Sequence, residues 1–115
     1  MLKYYEGELD TAIAYFKWSL NSQLAAGEYE NAANSLNNIG GMYKLKGDFK
    51  TGLSYYNQSY QMYDSLEMKR GVGTVLLNIG RLYEGLEFNE LALENYKKSE
   101  QIRKEVSDEY GLGIV

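Results

Sequence analysis

The chemistry open to this chain is limited by the residue types that it lacks. Its 115 residues include no histidine and no cysteine, so a general base or a nucleophile would have to be Asp, Glu, Lys, Ser or Tyr. No pair of such side chains recurs or converges in a predicted loop. The acidic pairs Asp108-Glu109 and Glu28/Glu30 are more simply solvated charges beside helix starts, where the helix dipole favours carboxylates. The sequence therefore predicts no catalytic residue, no metal ligand and no cofactor.

Two motifs that resemble functional signatures have simpler explanations. Gly71-Val72-Gly73 lacks the third glycine of a dinucleotide-binding loop and follows no predicted strand, so it opens a helix instead. Asn57-Gln58-Ser59 matches a glycosylation sequon, but Ser59 occupies a predicted packing position. An enzyme stays a remote alternative, because a fold alone never excludes catalysis.

Composition is that of an ordinary soluble globular domain of one domain's length. No apolar run approaches the length of a membrane span, and residues 1–7 have no apolar segment of a secretory signal. The net charge of −4 disfavours a nucleic-acid partner, which would need a basic face. The lack of cysteine fits a cytoplasmic location. The lack of proline fits a chain that is helical nearly throughout.

Beyond composition, the chain repeats itself. The stretch Leu36-Asn37-Asn38-Ile39-Gly40-Gly41-Met42-Tyr43 returns forty residues later as Leu76-Leu77-Asn78-Ile79-Gly80-Arg81-Leu82-Tyr83. The register continues into a second set of positions, which pairs Gly52 with Ala92, Leu53 with Leu93, Tyr56 with Tyr96 and Ser59 with Ser99, and reaches back to Ala12, Ile13, Phe16 and Ser19. Self-similarity at such a period is typical of stacked repeat proteins.

Apolar residues three and four positions apart predict helices over residues 8–26, 31–46, 49–66, 71–86 and 89–106. Gly27 and Gly47 are predicted to end helices with a positive φ, and Asp48 to cap the next one. The third turn has Glu87 in place of Gly47, and Asn89 is the predicted cap there.

The small residues of the repeat predict where helices approach most closely. Gly40 with Gly52, and Gly80 with Ala92, mark the crossing of the two helices of one hairpin, which explains glycine inside a helix. The recurring serines are predicted to be small in order to leave room for the next hairpin. The aromatic residues around these contacts are predicted to be core rather than a cofactor site: Phe16, Tyr43, Tyr56, Tyr83 and Tyr96.

These residues resemble the tetratricopeptide repeat. Leu36, Ile39-Gly40, Tyr43, Gly47, Phe49, Gly52, Tyr56 and Ser59 fall on its pattern, and Leu76, Ile79-Gly80, Tyr83, Ala92, Tyr96 and Ser99 do so again. The period is longer than the common one of about 34 residues, and the proline that often closes the second helix is absent. The chain looks like the long-helix variety found in bacterial regulatory and sensor proteins and in relatives of the kinesin light chain.

The resemblance implies an all-α fold of antiparallel helix hairpins, stacked as a right-handed superhelical solenoid. One segment, 1–115, would comprise a partial repeat (1–27), two repeats (28–67 and 68–107) and the start of a further repeat (108–115). In this family the first helices line a concave groove that binds a peptide or helix of a partner protein. The residues expected to line that groove are Asn34, Asn37, Asn38, Gly41, Lys44, Thr74, Leu77, Asn78, Arg81 and Glu84.

Asn38 and Asn78 are the most suitable groove residues, because a side-chain amide can both donate to and accept from a bound peptide backbone. The alternative is that each amide binds a neighbouring helix of its own chain. Chaperone-binding relatives grip a carboxylate with Lys, Asn and Arg. Here Thr74 and Asn78 occupy the Lys and Arg positions in one frame, and Asn37 and Gly41 occupy the Lys and Asn positions in the other, so that partner is disfavoured.

The ends of the chain suggest an alternative role. Residues 1–6 correspond only to the tail of a first helix, and 108–115 match the beginning of one, so no polar capping unit is present at either end. Ile13 and Phe16, near Tyr15 and Trp18, would then border an open apolar face. We expect either a piece of a larger regulatory or scaffold protein, or a segment that forms homo-oligomers through its uncapped ends.

Overall fold

The computed structural model describes residues 6–111, which form five helices and no strand. The helices are α1 (Glu6–Ala25), α2 (Tyr29–Leu45), α3 (Phe49–Ser65), α4 (Lys69–Gly85) and α5 (Asn89–Gly111). Each predicted helix is present, and most ends differ from the prediction by one or two residues. The exception is the end of α5, which lies five residues beyond the predicted one. The all-α fold of helical repeats is thereby confirmed.

One turn conformation separates all the helices. The residue two positions before each helix start has a positive φ, with values of 73°, 86°, 57° and 63° at Gly27, Gly47, Glu67 and Glu87. In all four turns the next N–H donates to the carbonyl five residues back, at 2.9 Å. This pair of features defines the Schellman motif, which closes a helix by satisfying its last carbonyls. The predicted positive φ of Gly27 and Gly47 is confirmed, and glutamate adopts the same conformation in the later turns.

The predicted caps have different outcomes. Asp48 does cap α3, because the N–H of Thr51 donates to its Oδ1 at 3.2 Å. Asn89 does not cap α5; that prediction was wrong, since Asn89 is the first helical residue and the N–H of Ala92 bonds to the carbonyl of Phe88. The positive φ at Glu87 places the following residue at the cap position, whatever its side chain.

The chain forms two compact units, Met1–Met62 and Tyr63–Val115. The core of the first unit is formed by Leu9, Ile13, Ala32, Ala33, Leu36, Ile39 and Tyr56. The core of the second unit is formed by Tyr63, Val72, Val75, Leu76, Ile79, Leu82 and Ala92. In both units the apolar positions of the repeat provide the core, which leaves the polar positions of the first helices for other roles.

The predicted close approach at the glycines is confirmed. A Cβ placed on Gly40 would lie 2.6 Å from Cδ1 of Tyr56 and 3.0 Å from the carbonyl oxygen of Gly52. A Cβ placed on Gly80 would lie 2.7 Å from Cδ1 of Tyr96. The two distances to the tyrosine rings are shorter than carbon–carbon van der Waals contact, so each hairpin requires glycine at this position.

The recurring serines make a hydrogen bond that the sequence did not predict. Ser59 and Ser99 are 0% exposed, and each hydroxyl donates to a main-chain carbonyl in the first helix of its own hairpin. The acceptors are Ala33 at 2.8 Å and Gly73 at 2.7 Å. The small side chain therefore provides a hydrogen bond within the hairpin, in addition to being small enough to be buried.

Helix α5 continues through Gly111 without a turn near Ser107, where the even spacing of the other turns would place one. Its last residues contact the first turn of α4: Lys69 pairs with Glu109, and the guanidinium of Arg70 lies 4.7 Å from the ring centroid of Tyr110. A further first helix therefore does not begin at residues 108–111. The remainder of that predicted repeat, 112–115, lies outside the described residues.

Candidate functional site

The predicted groove residues of α2 recur every three or four positions, opposite the buried residues of that helix. Asn34 and Asn38 are exposed, while Asn37, Gly41 and Lys44 are half-buried. Ile39, next to Asn38 in sequence, is fully buried. The core thus fixes the rotation of α2 and presents the Asn38 amide to solvent. Asn34, Asn37 and Lys44 have interaction partners within the chain.

In α4 the predicted residues are partly held by their own unit. Thr74, Arg81 and Glu84 are exposed, and Leu77 and Asn78 are half-buried. The Thr74 hydroxyl donates to the carbonyl of Arg70 at 3.0 Å. Asn78 also has an interaction partner within the chain. The available surface of α4 is therefore charged rather than amide-rich.

Glu84 is held by the second helix of its hairpin. The hydroxyl of Tyr96 donates to Oε1 of Glu84. This hydrogen bond raises the pKa of Tyr96, because it favours the protonated phenol. Tyr96 therefore has two contacts across the hairpin: its ring lies against Gly80 and its hydroxyl binds Glu84.

The first unit contains a cation–aromatic cluster that the sequence analysis did not identify. Lys17 donates to the hydroxyl of Tyr43 at 2.8 Å, and its Nζ lies 5.3 Å and 5.9 Å from the ring centroids of Tyr43 and Tyr55. The two rings stack with centroids 5.6 Å apart. The hydrogen bond to Tyr43 raises the pKa of Lys17. Forty residues after Lys17 and Tyr55 the sequence has Asn57 and Asn95, so the repeat pattern gave no signal for this cluster.

The two residues predicted to mediate self-association differ in exposure. Ile13 is only 6% exposed and belongs to the core of the first unit, while Phe16 is half-buried. The exposed aromatic residues of α1 are Tyr15 (62%) and Trp18 (66%), whose ring centroids lie 6.4 Å apart. These two rings are therefore more exposed than Leu24, the other large apolar residue on the surface of α1, which is 40% exposed.

The same face of the second helices is covered differently in α1 and α3. Tyr56 and Ser59 of α3 are buried against α2, whereas the equivalent Phe16 and Ser19 of α1 are half-buried. Ser19 has no counterpart of the Ala33 carbonyl among the described residues of its unit. This face of α1 therefore carries the residues that contact the first helix in the other hairpins. Among the described residues of the first unit, no helix packs on it as α2 packs on α3.

Neither a membrane segment nor a metal site is found in the described part of the chain. None of the helices within residues 6–111 has both the length and the apolar character that crossing a bilayer requires. The same residues bring together no group of three acidic side chains able to hold a metal ion.

The hairpins, their shared turn and the glycine contacts define the class of helical-repeat proteins. The family model described as tetratricopeptide repeat matches residues 1–65 and again residues 31–105. The chain belongs to the tetratricopeptide repeat family. Repeats of this family generally mediate protein–protein interaction and are not catalytic. The comparison with curated proteins finds no match.

Proposed function

We propose that this chain is a non-catalytic interaction module that binds a peptide or helix of a partner protein, as part of a larger regulatory or scaffold protein. In the first unit the binding surface would be the predicted groove face of α2, and in the second unit it would be that of α4. The observation that carries the proposal is the exposed Asn38 amide beside the fully buried Ile39. An exposed amide on a rigid helix can bind a peptide backbone of any sequence.

The groove is tested with peptides selected against the protein itself. A random dodecapeptide library displayed on phage is selected on the wild-type chain, and the peptides recovered are synthesised with a fluorescent label. Their affinities for wild type and for the Asn38→Ala/Asn78→Ala variant are then measured by fluorescence anisotropy. We expect about a tenfold loss, since two hydrogen bonds to the ligand of about 0.7 kcal/mol each correspond to that factor.

The matched control is Asn21→Ala/Asn57→Ala, which removes two exposed amides from second helices. It should leave the affinity unchanged. Equal affinity of wild type and the Asn38/Asn78 variant would contradict the groove. Loss of the helical circular-dichroism signal in the Asn38/Asn78 variant would instead show that these amides stabilise the folded chain.

The second candidate function is self-association, favoured by the exposed rings of Tyr15 and Trp18 beside the half-buried Phe16. Light scattering over a range of concentrations would detect a dimer or a larger assembly. The Tyr15→Ser/Trp18→Ser variant should then be monomeric, while Leu91→Ser/Leu93→Ser, which alters exposed residues of α5, should assemble as wild type does. A monodisperse wild-type monomer that binds no hydrophobic dye would contradict this alternative.

A further inference from the structure

The second unit has an open pocket of about 340 Å³ between α4 and the end of α5. Its lining residues are Arg70, Thr74, Arg103, Val106, Ser107 and Tyr110. The pocket is not a feature of the repeat, because the first repeat has Glu30 and Tyr63 at the positions of the two arginines. It exists because α5 continues past residue 107 and brings Tyr110 beside the first turn of α4.

Arg70 is positioned by an aromatic ring. Its guanidinium carbon lies 4.7 Å from the ring centroid of Tyr110. A cation–π contact holds the guanidinium without a carboxylate partner, so its N–H donors stay available to a ligand.

Arg103 is positioned by its aliphatic stem. A Cβ placed on Gly73 would lie 3.3 Å from Cγ of Arg103, so the stem packs over the bare backbone of α4. Packing of the stem leaves the charged end of the side chain at the pocket wall. Glycine at position 73 is what allows this approach.

Neither arginine is neutralised within residues 6–111. Two acidic residues of α5, Glu105 and Glu109, pair with Lys69. No acidic side chain lines the pocket in the described part of the unit. In a chain with a net charge of −4, this pocket is a local site of positive charge, which concentrates anions.

We propose that this pocket binds carboxylates of an acidic segment of the partner, an inference that rests on the proposed peptide-binding function. Two guanidiniums match the bidentate geometry of carboxylates. The hydroxyls of Ser107 and Tyr110 add donors, whereas the hydrogen of the Thr74 hydroxyl is already donated to the carbonyl of Arg70. Thr74 is also a predicted groove residue, so a segment bound along α4 reaches the pocket.

The probe is a hexaglutamate peptide with blocked ends and a fluorescent label, compared with hexaglutamine. Binding is measured by fluorescence anisotropy for wild type and for Arg70→Gln/Arg103→Gln, in which glutamine retains part of each stem. The control Lys97→Gln/Lys104→Gln removes two exposed cations of α5 and changes the net charge equally. We expect at least a tenfold loss of hexaglutamate affinity in the arginine variant, at most twofold in the lysine variant, and no binding of hexaglutamine.

Equal losses in the two variants would overturn the proposal, since they would show only a response to net charge. Absence of hexaglutamate binding by wild type would overturn it too. So would binding of a blocked phosphoserine peptide without binding of hexaglutamate, because the site would then recognise phosphate rather than carboxylate.

A second measurement needs only the wild-type chain, which has three arginines, Arg70, Arg81 and Arg103. In a ¹⁵N spectrum, added hexaglutamate should shift the Nε–Hε signals of Arg70 and Arg103 and leave that of Arg81 in place. Shifts of Arg81 alone, or of none of the three, would contradict the pocket.

The two proposals can fail separately. If the peptides selected from the library bind through Asn38 and Asn78 while hexaglutamate does not bind, the pocket proposal is wrong and the groove proposal is supported. If hexaglutamate binds through the arginines while the affinity of the selected peptides does not depend on the asparagines, the groove proposal is wrong and the pocket proposal is supported.

Discussion

The Ser99 hydroxyl donates a hydrogen bond to the main-chain carbonyl of Gly73 at 2.7 Å, from a position that is 0% exposed. The bond joins the second helix of a hairpin to the first, and Ser59 makes the same bond to Ala33 in the other hairpin. A residue at this position must therefore be small enough to be buried and must carry a donor. Only a few residue types meet both conditions, which explains why serine recurs there.

Replacing Ser99 with alanine should lower the free energy of unfolding by about 0.5–1.5 kcal/mol, the usual net contribution of a hydrogen bond. Urea unfolding followed by circular dichroism measures the change. Ser54→Ala, at an exposed position of α3, is the matched control and should change stability by less than about 0.5 kcal/mol. Equal stability of Ser99→Ala and wild type would show that only the size of the side chain matters.

Adjacent glycines of α2 should respond in opposite directions to the same substitution. A Cβ on Gly40 would lie 2.6 Å from the Tyr56 ring, whereas one on Gly41 would lie 3.5 Å from the Tyr56 hydroxyl. Gly40→Ala should destabilise the protein by about 1–3 kcal/mol through overpacking. Gly41→Ala should stabilise it by up to about 1 kcal/mol, because alanine favours the helix. Thermal unfolding of both variants compares them, and a gain in stability for Gly40→Ala would contradict the close approach.

The fold could be read from the sequence because the apolar and small residues recur with the period of the hairpin. The close approach at Gly40 was predictable for this reason, since a glycine that destabilises a helix needs a packing explanation. The positive φ of Glu87 was not predictable, because the turn imposes it and a glutamate gives no sign of it. The Lys17–Tyr43 contact was missed because it occurs once and has no counterpart at Asn57. Features that repeat are visible in a single sequence, and features that depend on one side chain are not.

The same reasoning predicts a gain in stability at Glu87, where φ is 63°. A residue with a Cβ destabilises the folded state by about 1–2 kcal/mol in this conformation. Glycine avoids that strain but lowers the free energy of unfolding by about 0.4–1 kcal/mol, because it gives the unfolded chain more conformational freedom. Glu87→Gly should therefore raise the free energy of unfolding by about 0.5–1 kcal/mol in urea unfolding. Glu90→Gly, within α5, should lower it by a similar amount. A loss of stability in Glu87→Gly would mean that the Glu87 side chain itself stabilises the turn.

The hydrogen bond from Tyr96 to Glu84 should make stability depend on pH in the alkaline range. The bond raises the pKa of Tyr96 above its usual value of 10.0. Since the pKa is higher in the folded chain than in the unfolded chain, the stabilisation is fully present below pH 10.0 and is lost as the pH rises through the folded pKa. Above that pH a phenolate would face the carboxylate of Glu84, and the contact becomes repulsive.

Tyr96→Phe keeps the ring against Gly80 and removes only the hydroxyl. It should be less stable than wild type at pH 7 to 9, and the difference should shrink and then reverse as the pH rises through the folded pKa of Tyr96. Urea unfolding at a series of pH values measures this difference, in which the titration of the other tyrosines cancels. Tyr29→Phe, at an exposed position, should match wild type at every pH. A constant difference between Tyr96→Phe and wild type across this range would mean that the Glu84 contact contributes nothing to folding.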